Sequence, residues 1–150
     1  MKKSLIRLIT VLYRKSQSYL SVALSKHNLT TAEQPFFAAL QKYDGITQEE
    51  LSTLICVDKA ATARALNSLE KKGYVKRVQD QHDKRQNKVF LTTTARKHWP
   101  AVERELIRFN ELLIKNIDKN SLETIYNSLL QMEENATRCS LNKNSIIEKE

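Results

Sequence analysis

Glycine and proline are scarce in this chain, with two of each among 150 residues. Turn-rich architectures depend on them for positive φ and chain reversal, so their shortage points to a mostly helical protein built from the abundant Leu, Ala, Lys, Glu, Gln and Arg. Cysteine is equally scarce. Cys56 and Cys139 stand 83 residues apart without C-x-x-C spacing, which argues against a disulfide framework or a zinc site and fits a reducing compartment. No apolar run approaches the roughly 20 residues that span a bilayer. Met1-Lys2-Lys3 followed by Leu5, Ile6, Leu8 and Ile9 superficially resembles a signal peptide, but Arg7 interrupts the run and Arg14-Lys15 closes it. The expectation is a cytoplasmic protein with no membrane partner.

Catalytic motifs are missing as well. There is no G-x-S-x-G, no phosphate-cradling glycine loop and no H-E-x-x-H; His27, His82 and His98 fall on three different elements. Acid pairs such as Glu49-Glu50 and Glu133-Glu134 lie on polar helix faces, where a solvated or dipole-compensating role is normal. Neither an enzyme nor a cofactor or metal is expected.

Positive charge is what the chain has in excess. The formal net charge is +8, and residues 59 to 97 alone hold eleven Lys or Arg against three Asp or Glu. Such an excess on one structural unit favours a polyanionic partner, most commonly nucleic acid, over a merely solvated surface.

The pattern around that unit is specific. Apolar residues from Leu5 to Leu24 recur at three and four residues, giving an amphipathic helix from Ser4 to about Lys26. Thr30 with Glu33 forms a capping-box pattern opening a second helix through Phe36, Phe37 and Leu40, with Pro35 in its first turn and a stop at Asp44-Gly45. Thr47 with Glu50 opens a third, short helix, and Asp58 caps a fourth that buries Thr62, Leu66 and Leu69 and ends at Gly73. Its other face carries Ala60, Ala61, Arg64, Asn67 or Ser68, and Lys71. Beyond Gly73 the period changes: Tyr74–Val78 and Lys88–Thr92 read as two strands joined by a glycine-free polar loop. Helix returns with Trp99, Val102, Leu106, Phe109, Leu113 and Ile117, Pro100 kinking or restarting it, and again with Leu122, Ile125, Tyr126, Leu129 and Met132 after a break at Asp118 to Asn120.

The fold class that results is mostly α (α+β): a winged helix-turn-helix with a two-stranded wing, flanked by N- and C-terminal dimerisation helices. Residues 1–150 form one unit, with 31–95 the DNA-binding region, 1–30 and 96–138 the dimerisation helices, and 139–150 a tail. The terminal helices expose apolar stripes that a module of this size cannot bury alone, so a homodimer is expected. In the DNA reading, Ala60 and Ala61 allow close groove approach, Arg64 reaches guanine, and Lys59, Lys71 and Lys72 suit phosphates. In the wing, Arg85 flanked by Lys84 and Lys88 suits a minor groove, and Asp83 orients Arg85 through a charge-assisted hydrogen bond. Cys56, in the turn before the fourth helix, is read as a small buried filler, against the alternative of a thiolate stabilised by the helix N-terminus.

These residues resemble the MarR family of transcriptional regulators. The family's wing pattern, approximately D-x-R-x-x-x-V-x-L-T-x-x-G, is met by Asp83, Arg85, Val89, Leu91 and Thr92, with Ala95 in place of the last glycine. Val57 to Leu66, and Leu69 through Val75, resemble the family's recognition helix and its exit. The resemblance implies a dimer on double-stranded DNA at a pseudo-palindromic operator, commonly a repressor, released by a small phenolic or lipophilic effector or by cysteine oxidation. The first helix lacks the cysteine of the peroxide-sensing subgroup, and the three histidines do not resemble the zinc-responsive ligand set. The runner-up function is a winged-helix protein-interaction module with incidental DNA contact.

Overall fold

The computed structural model describes residues 4–81 and 86–141, the last three as backbone only. Among these, six helices and three short strands follow in the order α1 (Leu5–Ser25), α2 (Gln34–Lys42), β1 (Ile46–Thr47), α3 (Gln48–Leu54), α4 (Lys59–Lys71), β2 (Val75–Gln79), β3 (Asn87–Leu91), α5 (Thr93–Leu113) and α6 (Lys119–Leu141). The chain divides into two compact units, Met1–Phe109 and Asn110–Glu150.

Local motifs in the sequence account for most boundaries of the first unit. Thr47 makes the full reciprocal box with Glu50, and Asp58 accepts the Ala61 N–H at 2.8 Å to start α4. The Thr30–Glu33 box also closes, with Thr30 N–H donating to Glu33 at 2.8 Å, but it forms one turn ahead of α2, which begins at Gln34. At the far end of α4, Gly73 takes φ 74°, with Gly73 N–H bonded to Glu70 and Tyr74 N–H to Leu69, the paired bonds of a Schellman ending. Thr62, fully buried, returns its hydroxyl to the Asp58 carbonyl at 2.9 Å.

The expected wing has a third strand. The sheet order is β1-β3-β2, with Ile46 opposite Val89 and Thr47 opposite Lys88. Thr47 is therefore both a strand residue and the cap of α3, and β1 ties the wing to the helix-turn-helix. Gly45 makes this approach feasible: its φ is 82°, and a Cβ there would lie 2.7 Å from the Phe90 ring. Where β1 runs out, Asp44 continues the ladder by accepting Leu91 N–H at 2.7 Å and also binds Arg96.

The core lies between α2, α4 and the sheet, with Phe36, Phe37, Leu40, Leu66, Leu69 and Val89 almost fully buried. Phe37 packs on Tyr74 and Trp99 at ring separations of 5.3 and 5.8 Å. Ala95 is buried in the first turn of α5, whose start Thr92 caps, and it takes no left-handed conformation. A glycine is not needed there. Pro100 lies inside α5 without restarting it.

The turn between α3 and α4 corrects the reading of Cys56. Cys56 is exposed, not buried, and sits at φ 53° in the position that follows a helix end. Val57 N–H bonds Ser52 and Cys56 N–H bonds Thr53, so this is a second Schellman ending with cysteine where glycine is favoured. Cys56→Gly is accordingly expected to raise stability by about 1 kcal/mol, measured by denaturant unfolding; a loss of stability would show that the left-handed cysteine carries no strain.

In the second unit, the turn after α5 uses Asn116 at φ 66°, and Asp118 caps α6 by accepting Ser121 N–H at 3.0 Å. The break thus covers residues 114–118, earlier than the expected Asp118 to Asn120 and shared with it at Asp118. No described side chain of α6 is buried, and Ile125, Tyr126, Leu129 and Leu130 all stand exposed.

Candidate nucleic-acid interface

Helix α4 is held at both ends and along one side. Its buried face is Thr62, Ala65, Leu66 and Leu69, which leaves Ala60, Arg64, Asn67 and Lys71 exposed in a stripe spaced by four, three and four residues. Ala61 is half-buried beside that stripe. Between the sequence alternatives Asn67 and Ser68, the exposed residue is Asn67; Ser68 turns inward and hydrogen-bonds Glu33.

The lysines divide into three situations. Lys59 bonds Glu49 at 2.6 Å with both side chains largely in water, a pair weak enough to exchange for a phosphate. Lys71 is exposed. Lys72, expected on phosphate, is instead committed to Glu33, reaching its two carboxylate oxygens at 2.7 and 2.8 Å with only 19% of the lysine side chain exposed. Burial pushes the Glu33 carboxyl up, but the bonds from Lys72, Ser68 and Thr30 outweigh it and hold the group below its ordinary range. Burial, followed by the nearby Glu33 charge, pushes the Tyr74 hydroxyl up; that hydroxyl donates to the His27 carbonyl at 2.9 Å.

In the wing, Lys88 pairs with Asp80 at 2.9 Å, so its charge is partly answered within the sheet. Asp80 N–H also bonds the Gln86 carbonyl at 2.9 Å, closing the base of the loop. Asp83, Lys84 and Arg85 lie outside the described residues, as does His82.

Two groupings are not anticipated by the sequence reading. Arg77 on β2 binds Glu70 at 2.6 Å and also Asn67, joining wing to helix. The available signal is the strand alternation: Arg77 is two residues from buried Val75 and opposite buried Val89, hence on the face toward α4. The second grouping is His27 with His98, whose rings meet edge-on at 5.3 Å although 71 positions separate them in sequence. Among the described residues no cluster of three or more His, Cys, Asp or Glu could hold a metal.

The geometry has counterparts. The MarR family model matches residues 38–86, which runs from the second half of α2 through β1, α3, the turn, α4 and β2 and stops just before β3. A MarR transcriptional regulator from Methanosarcina mazei Go1 is 34% identical with a TM-score of 0.83, over 89% of this chain and 96% of that one. This chain belongs to the MarR family of transcriptional regulators. Among other family members, a mutant MarR from E. coli, solved in complex with operator DNA, is 28% identical at a TM-score of 0.79, covering 85% of this chain and 92% of that one. The uncharacterized HTH-type transcriptional regulator YybA of Bacillus subtilis is 27% identical over 134 residues, 89% of each chain.

Proposed function

We propose that this MarR-family regulator is a sequence-specific DNA-binding repressor that acts as a cytoplasmic homodimer on a pseudo-palindromic operator. The observation that carries the reading is the exposed Ala60–Arg64–Asn67–Lys71 stripe on a helix fixed at both ends and set beside a basic wing. In this reading α4 enters a major groove, where Arg64 and Asn67 meet base edges, Ala60 and Ala61 permit the approach, and Lys59 and Lys71 meet phosphates. Lys84, Arg85 and Lys88, with Asp83 orienting Arg85, address the flanking minor groove. The operator-bound E. coli MarR mutant supports this use of the fold.

Residues 31–95 serve as the DNA-binding region, and 1–30 with 96–138 as the dimer arms. Support for the arms is the exposure of Leu5, Ile6, Leu8 and Tyr13 on α1 and, separately, of Tyr126 and Leu129 on α6, large apolar side chains of the kind that mark association surfaces when they cluster. Release by a small phenolic or lipophilic molecule completes the proposal, resting on the family resemblance alone.

Selection of bound duplexes from a random library tests it, together with sedimentation of the free protein. The expected outcome is a dimer that prefers one short palindrome over random duplex by about a thousandfold or more, with affinity falling steeply as salt rises. Equal binding of all duplexes, or affinity indifferent to salt, sinks the reading and leaves a protein-interaction module.

A further inference from the structure

Lys59, the first residue of α4, meets Glu49 of α3 at 2.6 Å, with 79% of the lysine side chain and 60% of the glutamate side chain in water. Both line a cleft of about 200 Å³ whose other walls are Thr47, Gln48, Gln86 and Asn87. The cleft therefore opens between the start of α3, the start of α4 and the base of the wing, and among the described residues Lys59 and Glu49 are the charged ones that line it. The acid is not there to hold the fold. Thr47 and Glu50 cap α3, and it is the Glu49 backbone carbonyl, not its carboxylate, that accepts the Ser52 and Thr53 hydroxyls.

A helix in a major groove and a wing in the adjoining minor groove straddle the phosphate strand between those grooves, and this cleft is the gap that faces it. Lys59 is placed to meet that strand, but Glu49 comes with it. An ammonium has three donors and can touch a carboxylate and a phosphate at once, yet its single charge answers only one of them. Whichever anion Lys59 turns to, the pair as a whole brings no net charge to the DNA. Resting on the reading of α4 as the DNA-reading helix, we propose that Glu49 is an affinity-setting residue that cancels the phosphate contact of Lys59 and holds down binding to every duplex, operator and random alike. The ratio between the two stays where the base contacts put it, because phosphates carry no sequence.

Titration of the selected operator and of a random duplex between about 50 and 200 mM salt tests the proposal, with the full-length wild type, Glu49→Gln, Lys59→Met and the double variant. Glu49→Gln should bind both duplexes about three- to tenfold more tightly, and its plot of log affinity against log salt should be steeper by about one, the mark of one more phosphate answered. Lys59→Met should cost little in the wild type, where its charge is already cancelled, and should remove most of the gain in Glu49→Gln. Glu49→Ala repeats the measurement should thermal melting show Glu49→Gln unfolded. Affinity and slope that stay the same or fall on loss of the acid, a gain confined to one duplex, or a Lys59→Met cost equal in both backgrounds would each overturn it. A wild type that binds neither duplex, or binds both without salt dependence, defeats the DNA-reading proposal itself, a result distinct from these.

Discussion

Lys72→Met is expected to lower the unfolding free energy by about 3 kcal/mol, because it strands a carboxylate inside the protein. Glu33 is only 2% exposed, and Lys72 is the cation that answers its charge. Removing one member of such a pair leaves an uncompensated buried charge, which costs more than the pair itself contributes. The pH dependence has a definite sign. The folded Glu33 carboxyl lies below its ordinary value, so its stabilisation is present above the ordinary carboxylate range and is lost as pH falls through the lowered folded value. The stability gap between wild type and Lys72→Met should therefore be full near neutral pH and close on acidification. Denaturant unfolding at a series of pH values measures it. A gap that stays constant into acid would mean that Lys72 acts through the packing of its stem and not its charge.

Arg64→Ala should weaken operator binding by about tenfold to a hundredfold and erase preference at one base pair, with unfolding unchanged. The side chain is exposed on the stripe, so its removal disturbs no buried contact. Arg85→Ala should weaken binding to the same operator through the flanking groove, with its largest effect where that flank is rich in A·T. Both variants are compared by titration of the selected duplex at fixed salt. If Arg85→Ala left affinity unchanged while Arg64→Ala abolished it, the wing would have no part in recognition. If Arg64→Ala weakened every sequence alike, Arg64 would be a phosphate contact.

Legibility in the sequence tracks the range of the interaction. Thr47 with Glu50, Asp58 with Ala61, and Gly73 after Lys72 are contacts within a few residues, and each forms as its spacing implies. The strand β1 is hidden because two residues carry no periodicity, and because Thr47 is already accounted for as a cap. Cys56 departs from the general tendency of cysteine to be buried, because its place in the chain is a left-handed turn at the surface.

By itself, the sequence determined the helical class, the order of the helices, the helix ends on either side of α4 and the family resemblance, since capping and amphipathic period are set by near neighbours. Tertiary structure alone decided which polar side chains remain available. Lys72 meets Glu33 across 39 residues, Arg77 reaches Asn67 and Glu70 from the next strand, and Ser68 turns in where Asn67 turns out. A basic residue reads the same in a sequence whether its charge is free or answered. The difference lies in how the sheet and α2 are packed against α4, which brings partners distant in the chain within hydrogen-bond reach.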